Sequence, residues 1–426
     1  MKTLLYFISA LFVLTGCMSS KLDKFDDKMS SGEYLDAKDY ALKEKKDLLW
    51  TLQAAAATNA AGEYKESNEL FDKAEDMYIA ARSKSNASDK MSTLATVLVN
   101  DNAVAYKGEV YDGILINTYK ALNFMFLQNW DLARVELNRA YDRQRRAADF
   151  YAKEIQEQEE EARKKGFGID VSKVMKRPEL QRMSGIEAYA DYVNPLVNLI
   201  EVIYLKHKGD IGDSERLRQT QNRLLAMTHS KHLQKDLSTQ DAWTWVLIEN
   251  GQMPRRVEWR LDFPVGIFSG LIREMDNLSI VSIAIPKLQD IPAAYNQFVV
   301  NGENVDLVSD MDKIIHAEYS RSLPGILTKA LVSMAIKTIV QYQIGRAKGH
   351  TTAFFVGLLQ AASTQADVRT WSAIPKNYHL AIVPSGTVKL TSRGSLLGSA
   401  ETKGNSFLFF KVSRGGHVSS HALVLD

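Results

Sequence analysis

Eight histidines and one cysteine are the residues with which this chain could ligate a metal or make a strong nucleophile. His229 and His232 stand three apart, a spacing that puts both on one side of a helix, but no acidic partner of the HExxH kind accompanies them. His417 and His421 stand four apart in a segment that reads as a strand. They share a face there about 13 Å apart, too far to hold one metal unless the chain turns between them. Cys17 is the sole thiol, which excludes an intramolecular disulfide, a Cys-rich zinc site and a CxxC redox pair. GxSxG, P-loop and GxGxxG motifs do not occur. Ser413-Arg414-Gly415-Gly416 is glycine-rich but has the form of a hairpin, not of a phosphate cradle. The expectation is a non-enzyme that needs neither metal nor cofactor.

The surroundings of Cys17 give it a different use. Lys2 precedes an apolar stretch, Leu4–Leu14, interrupted only by Ser9. That is too short for a bilayer-spanning helix, which takes about 20 residues, and it has the form of a secretory signal peptide over residues 1–16. Leu14-Thr15-Gly16-Cys17 resembles the lipobox of bacterial lipoproteins. That resemblance implies cleavage before Cys17 and a diacylglycerol thioether on its sulfur. Two acyl chains make a stable anchor where one is marginal. Residues 17–30 are then expected to be a tether. Met18 is not the Asp that favours inner-membrane retention in Gram-negative lipoproteins, so the resemblance points to the periplasmic face of the outer membrane.

The rest of the chain must build the folded body. With 53 Lys and Arg against 51 Asp and Glu, its charge gives no reason to expect a nucleic-acid partner. From residue 31 to 237 the apolar spacing is helical, as in Leu196, Leu199, Ile200, Ile203 and Tyr204. A short pattern recurs. Ser31-Gly32-Glu33-Tyr34 is echoed by Ala61-Gly62-Glu63-Tyr64, then by Leu127-Gln128-Asn129-Trp130, and more distantly by Lys208-Gly209-Asp210-Ile211. Each copy fits the turn of a tetratricopeptide-like helix pair: αL at a Gly or other turn residue, an acidic or Asn cap, then an Ile or an aromatic such as Tyr64 or Trp130 plugging the pair. The irregular spacing predicts a degenerate repeat region whose groove would receive an envelope protein partner. Lys153–Lys165 reads as an exposed helical extension, and Gly166–Pro178 as a loop.

After residue 238 the period changes to two. Arg256–Phe263 alternates, with Val257, Trp259, Leu261 and Phe263 facing one way and Arg256, Glu258, Arg260 and Asp262 expected to face water. Further strands are expected at 243–248, 279–285, 297–300, 304–307, 378–383, 387–390, 406–412 and 418–425. Helices are expected over 310–344, kinked at Pro324-Gly325, and over 352–367. The fold class is therefore α+β, with a helical tetratricopeptide-like domain over 31–237 and a β-rich domain over 238–426 that carries a helical insertion at about 310–367.

Two segments carry a wider resemblance: Ser322-Leu323-Pro324-Gly325-Ile326-Leu327-Thr328-Lys329-Ala330 and Ala366-Asp367-Val368-Arg369-Thr370-Trp371-Ser372-Ala373-Ile374-Pro375. They resemble a family of uncharacterised bacterial lipoproteins in which a lipobox, a tetratricopeptide-like half and a strand-rich half occur together. The resemblance implies an envelope lipoprotein and supplies no catalytic residues. Arg369 and Trp371 lie on one side of an extended stretch, where Arg369 could pair with Asp367 or stack on an aromatic in a structural clamp. The alternative is a site where Arg369 clamps a carboxylate or sugar and Trp371 stacks on it. The expected function is thus a non-catalytic, protein-binding scaffold or assembly factor. A lipoprotein that binds cell-wall glycan (peptidoglycan) is the alternative, and a cryptic hydrolase the third.

Overall fold

A computed structural model describes residues 17–83, 105–164, 171–186, 188–189, 193–264, 280–348 and 365–426. Residues 1–16, read above as a signal peptide, and most of the helix expected at 352–367 lie outside the described residues.

The helical half is built from hairpins. Helices α1 (Cys17–Ser31) and α2 (Tyr34–Lys43) form the first, α3 (Leu48–Ala60) and α4 (Tyr64–Ser83) the second, and α5 (Val110–Phe126) and α6 (Trp130–Lys164) the third. Short helices α7 (Val171–Met175) and α8 (Pro178–Gln181) follow, then a fourth hairpin of α9 (Pro195–Lys208) and α10 (Ser214–Thr228). The recurring tetrapeptide explains the first three turns. Gly32 and Gly62 both take φ of 82° and Gln128 takes 56°. In each turn the next amide reaches back to close the helix: Glu33 N to Lys28 O at 3.0 Å, Glu63 N to Thr58 O at 3.1 Å, Asn129 N to Phe124 O at 2.8 Å. This is the Schellman closure, in which an αL residue lets the last carbonyls of a helix find donors. The fourth copy differs, because Gly209 is extended with φ of −72° and a 3-10 turn follows.

Two departures from the sequence reading stand out. Residues 17–30 are not a loose tether but helix α1, which buries Leu22, Phe25 and Asp26. Leu22, Phe25 and Met29 recur at helical spacing and give α1 an apolar stripe to dock. The loop expected at 166–178 contains α7, pinned by buried Val174. Helix α11 (Met311–Lys348) matches the helix expected over 310–344 and carries Pro324 in its interior, with Thr328 Oγ1 donating to the Pro324 carbonyl at 2.8 Å.

Eleven strands make three sheets among the described residues. They are β1 (Trp243–Asn250), β2 (Arg255–Pro264), β3 (Ile280–Gln289), β4 (Val299–Val300), β5 (Glu303–Asn304), β6 (Asp306–Asp310), β7 (Asn377–Pro384), β8 (Thr387–Ser392), β9 (Ser395–Glu401), β10 (Ser406–Val412) and β11 (Val418–Val424). The central sheet runs β11-β10-β1-β7-β6, with β1 and β10 parallel. A second sheet, β5-β4-β8-β9, covers one of its faces, and β2 pairs with β3 separately. β9 escaped the sequence reading because Gly398 and the polar residues Ser395, Ser399 and Glu401 blur its period.

Period two sorts the central strands. Trp245 and Leu247 of β1, Phe407 and Phe409 of β10, and Leu380 and Ile382 of β7 point to the helices. Val246, Ile248, Leu408, Phe410, Ala381 and Val383 point to the second sheet. The molecule is therefore layered as helices, sheet, sheet. The apolar core of the helices and that of the central sheet are continuous, from Leu22 to Leu425. Arg256 departs from the expected solvent face: its side chain is largely covered and pairs with Glu109 at the start of α5, Nη2 to Oε1 at 2.6 Å, while Glu258, Arg260 and Asp262 on the same side are exposed as expected.

Candidate functional site

The strongest concentration of buried polar chemistry lies where the helices meet the central sheet. Glu249 on β1 is the register partner of Lys411 on β10 and of Tyr378 on β7. All three occupy helix-facing positions, so they form a polar row at the end of an otherwise apolar face. Lys411 Nζ donates to Glu249 Oε2 at 2.9 Å. The Tyr119 hydroxyl, from α5, donates to Glu249 Oε1 at 2.6 Å and lies 2.8 Å from the Tyr378 hydroxyl. Burial raises both phenols well above their ordinary range, and the Glu249 charge raises them further. Burial draws the Lys411 ammonium below its ordinary value, against the opposing pull of Glu249. The Phe409 ring lies 4.4 Å from Nζ and contributes a cation–π contact.

The row continues into the helices. Lys411 Nζ also donates to Asn59 Oδ1 at 2.7 Å, and Asn59 Nδ2 donates to Asn123 Oδ1 at 2.5 Å. Asn123 Nδ2 then reaches Asn68 Oδ1 at 2.9 Å and Ser67 Oγ at 3.0 Å. Ser67, standing where the repeat pattern favours Ala, uses its hydroxyl to satisfy the Ala55 carbonyl at 2.9 Å.

A cavity opens beside this network, between α1, α3, the ends of β1 and β10, and residues 372–375. It offers about 60 Å³ to water centres. One water needs about 10–15 Å³ on that measure, so the space suits a few waters and no substrate of ordinary size. On its wall the Ser372 hydroxyl donates to Asp26 Oδ1 at 2.5 Å, and burial pushes the Asp26 carboxyl up to about 6. Gln53 binds Ser372 Oγ through Nε2 at 2.8 Å and the Ala373 amide through Oε1 at 3.1 Å. Each charge at this seam faces a partner from another element, and that arrangement aligns the two halves.

The residues singled out from sequence are dispersed along the same seam. Trp371 is fully buried, with its ring edge-on to Phe71 and Tyr119 at 5.9 and 6.3 Å. It offers no face for a sugar. Arg369 does both things expected of the clamp: it pairs with Asp367 through Nε at 2.8 Å, and its guanidinium lies 5.8 Å from the Tyr106 ring. Tyr64 stacks on Phe126 at 4.6 Å and meets His421 edge-on at 5.7 Å. Trp130 stands apart, half-buried against Tyr204 and under Lys208. Cys17 is the first residue of α1.

The histidine pairs divide. Helix α10 ends at Thr228, so His229 is an αL cap and His232 lies beyond it, with Nδ1 accepting from Ile382 N at 3.1 Å and Nε2 beside Asn304 O at 2.9 Å. His417 and His421 each lie against one repeat turn. Tyr34 meets His417 edge-on at 5.9 Å, as Tyr64 meets His421. A Cβ on Gly32 would come within 2.3 Å of the His417 ring, and one on Gly62 within 2.7 Å of His421. The strand spacing thus matches the spacing of successive hairpins. Among the described residues, no group of three or more His, Cys, Asp or Glu could hold a metal.

Sequence reasoning did not single out Glu249, Lys411, Tyr119 or Asn59. A signal existed for the first two: each is a charged residue at an inward position of a strand that is otherwise apolar on that side. Comparison with protein-family models, curated proteins and solved structures finds no match to this chain.

Proposed function

We propose that this chain is a membrane-anchored lipoprotein facing the periplasm of a bacterial envelope, most simply at the outer membrane, where it acts as a non-catalytic scaffold or assembly factor. One observation carries the reading: Cys17, at the end of a lipobox-like sequence, opens a helix whose Leu22 and Phe25 are part of the main core. The anchor and the body are one piece, which suits a protein whose work is to hold something at a membrane surface. The inward face of the helical hairpins is occupied by the chain's own sheet. A protein partner is therefore met by the outer faces of the hairpins, where Leu35 and Ile79 are about half exposed. Burial of Trp371 removes the feature that favoured glycan binding, and the seam charges are engaged with one another.

The test is processing and location. With Cys17→Ala, the chain should remain an unprocessed precursor that takes up no fatty-acid analogue and leaves the outer-membrane fraction. A labelled Cys17→Ala chain, or wild type without label, overturns the reading.

A further inference from the structure

The replacement of a tether by a helix fixes which part of the body meets the membrane. Leu22, the first buried position among the described side chains of α1, is five positions along the helix from Cys17. At about 1.5 Å per residue that is roughly 8 Å of helix. Phe25 docks edge-on against Trp50 at 6.4 Å, and Lys21 Nζ holds Glu44 Oε2 at 2.5 Å. The second contact brings the loop after α2 to the Cys17 end of the hairpin, as antiparallel packing requires.

That loop is basic on its outer side. Lys43, Lys45 and Lys46 are exposed, and Leu42 beside them is 43% exposed. Its two carboxylates are turned to other work: Glu44 binds Lys21, and Asp47 caps α3 by accepting from Trp50 N at 3.2 Å. On α1, Asp23 is paired with Arg255 at 3.1 Å, while Lys24 is exposed. Asp39, one turn up α2, is the nearest exposed acid on that helix.

We propose that the Leu42–Lys46 loop is seated on the anionic phospholipid headgroups of the membrane that holds the Cys17 acyl chains. The proposal rests on the lipoprotein reading above. The lysines meet phosphate-bearing headgroups, and Leu42 reaches the edge of the acyl region. An anchor plus a basic patch is a common pairing for stable surface attachment. Each lysine near an anionic surface strengthens binding about fivefold.

Acylation occupies the only native thiol, so an introduced cysteine can be labelled alone. Full-length acylated protein carrying Lys46→Cys or, at the far end of the hairpins, Glu63→Cys is labelled with a fluorophore. It is then placed in phosphatidylethanolamine–phosphatidylglycerol vesicles that contain a headgroup-quencher lipid. Quenching at position 46 should exceed that at 63 several-fold. In parallel, Cys17→Ser chains with Lys43, Lys45 and Lys46 all changed to Gln should bind the same vesicles about a hundredfold more weakly than Cys17→Ser alone. Equal quenching at both positions, or unchanged vesicle binding, overturns the seating while leaving the anchor intact. A mature chain whose mass shows no acyl group on Cys17 sinks the lipoprotein reading and this one with it.

Discussion

Glu249 and Lys411 face each other across parallel strands with almost no access to water. Removing one member of such a pair leaves a buried charge without its partner and costs about 3–5 kcal/mol, whereas replacing both together costs far less. Glu249→Gln should therefore lower stability in urea by several kcal/mol, and Glu249→Gln combined with Lys411→Met should recover much of the loss. Additive losses would show that the pair is not coupled. Asp112 supports a pH prediction. Burial pushes its carboxyl from 3.8 up to about 7, although the Glu109 amide and the Tyr106 hydroxyl, 2.7 Å away, pull it down. The folded chain then binds a proton that the unfolded chain does not, so this group adds stability as pH falls from about 7 towards 3.8. His379 has the opposite sign: burial lowers it from 6.5 to about 4, and its contribution is lost as pH falls through that window. Relative to wild type, Asp112→Asn should be favoured above about pH 7 and disfavoured near pH 5, with a swing of a few kcal/mol in urea unfolding. A difference that does not vary with pH would mean that the carboxyl titrates normally.

At the scale of elements, the repeat turns are the contact points between helices and sheet. Gly62 meets two demands at once, an αL backbone and a histidine ring against its α-carbon. Gly62→Ala should destabilise by about 2 kcal/mol or more, from backbone strain and from the clash with His421. In a double-mutant cycle, His421→Ala should relieve the clash and leave the backbone cost, so the two losses should be clearly less than additive. Gln128 occupies the same αL position, with φ of 56°, without the freedom of glycine. Gln128→Gly should stabilise by a few tenths to about 1 kcal/mol. The turns themselves were legible in sequence, because Gly-Glu-Tyr is a local signal. Their histidine partners were not, since His417 and His421 acquire that role only when β11 packs across the hairpins.

At the scale of the molecule, helices and sheet share one core, and Trp371 sits inside it between Phe71 and Tyr119. Trp371→Ala should cost about 3–5 kcal/mol. Circular dichroism, which reports mainly the helices, and tryptophan fluorescence, which reports mainly the sheet, should shift to the same new midpoint. Separate midpoints would mean that the halves unfold independently. A chain ending at residue 237 should expose the apolar inner faces of its hairpins and aggregate, so partner capture is best attempted with the whole protein.

By itself the sequence determined what depends on neighbours along the chain. It showed the change from helical to two-residue period, most strand positions, three of the four repeat turns and the Arg369–Asp367 pairing, since these follow from local sterics and short spacing. Only the tertiary structure decided which surfaces are inside. Arg256 alternates like a solvent-facing residue, yet the start of α5 covers it. Trp371 reads first as part of a structural clamp and alternatively as a stacking platform, and only the fold packs its ring against Phe71 and Tyr119. Residues 17–30 read as a tether because their charges mask a narrow apolar stripe, which becomes a helix face once Trp50 is there to receive Phe25. The physical reason is common to all three. An amphipathic pattern says that a face must be covered, but what covers it is set by elements distant in sequence.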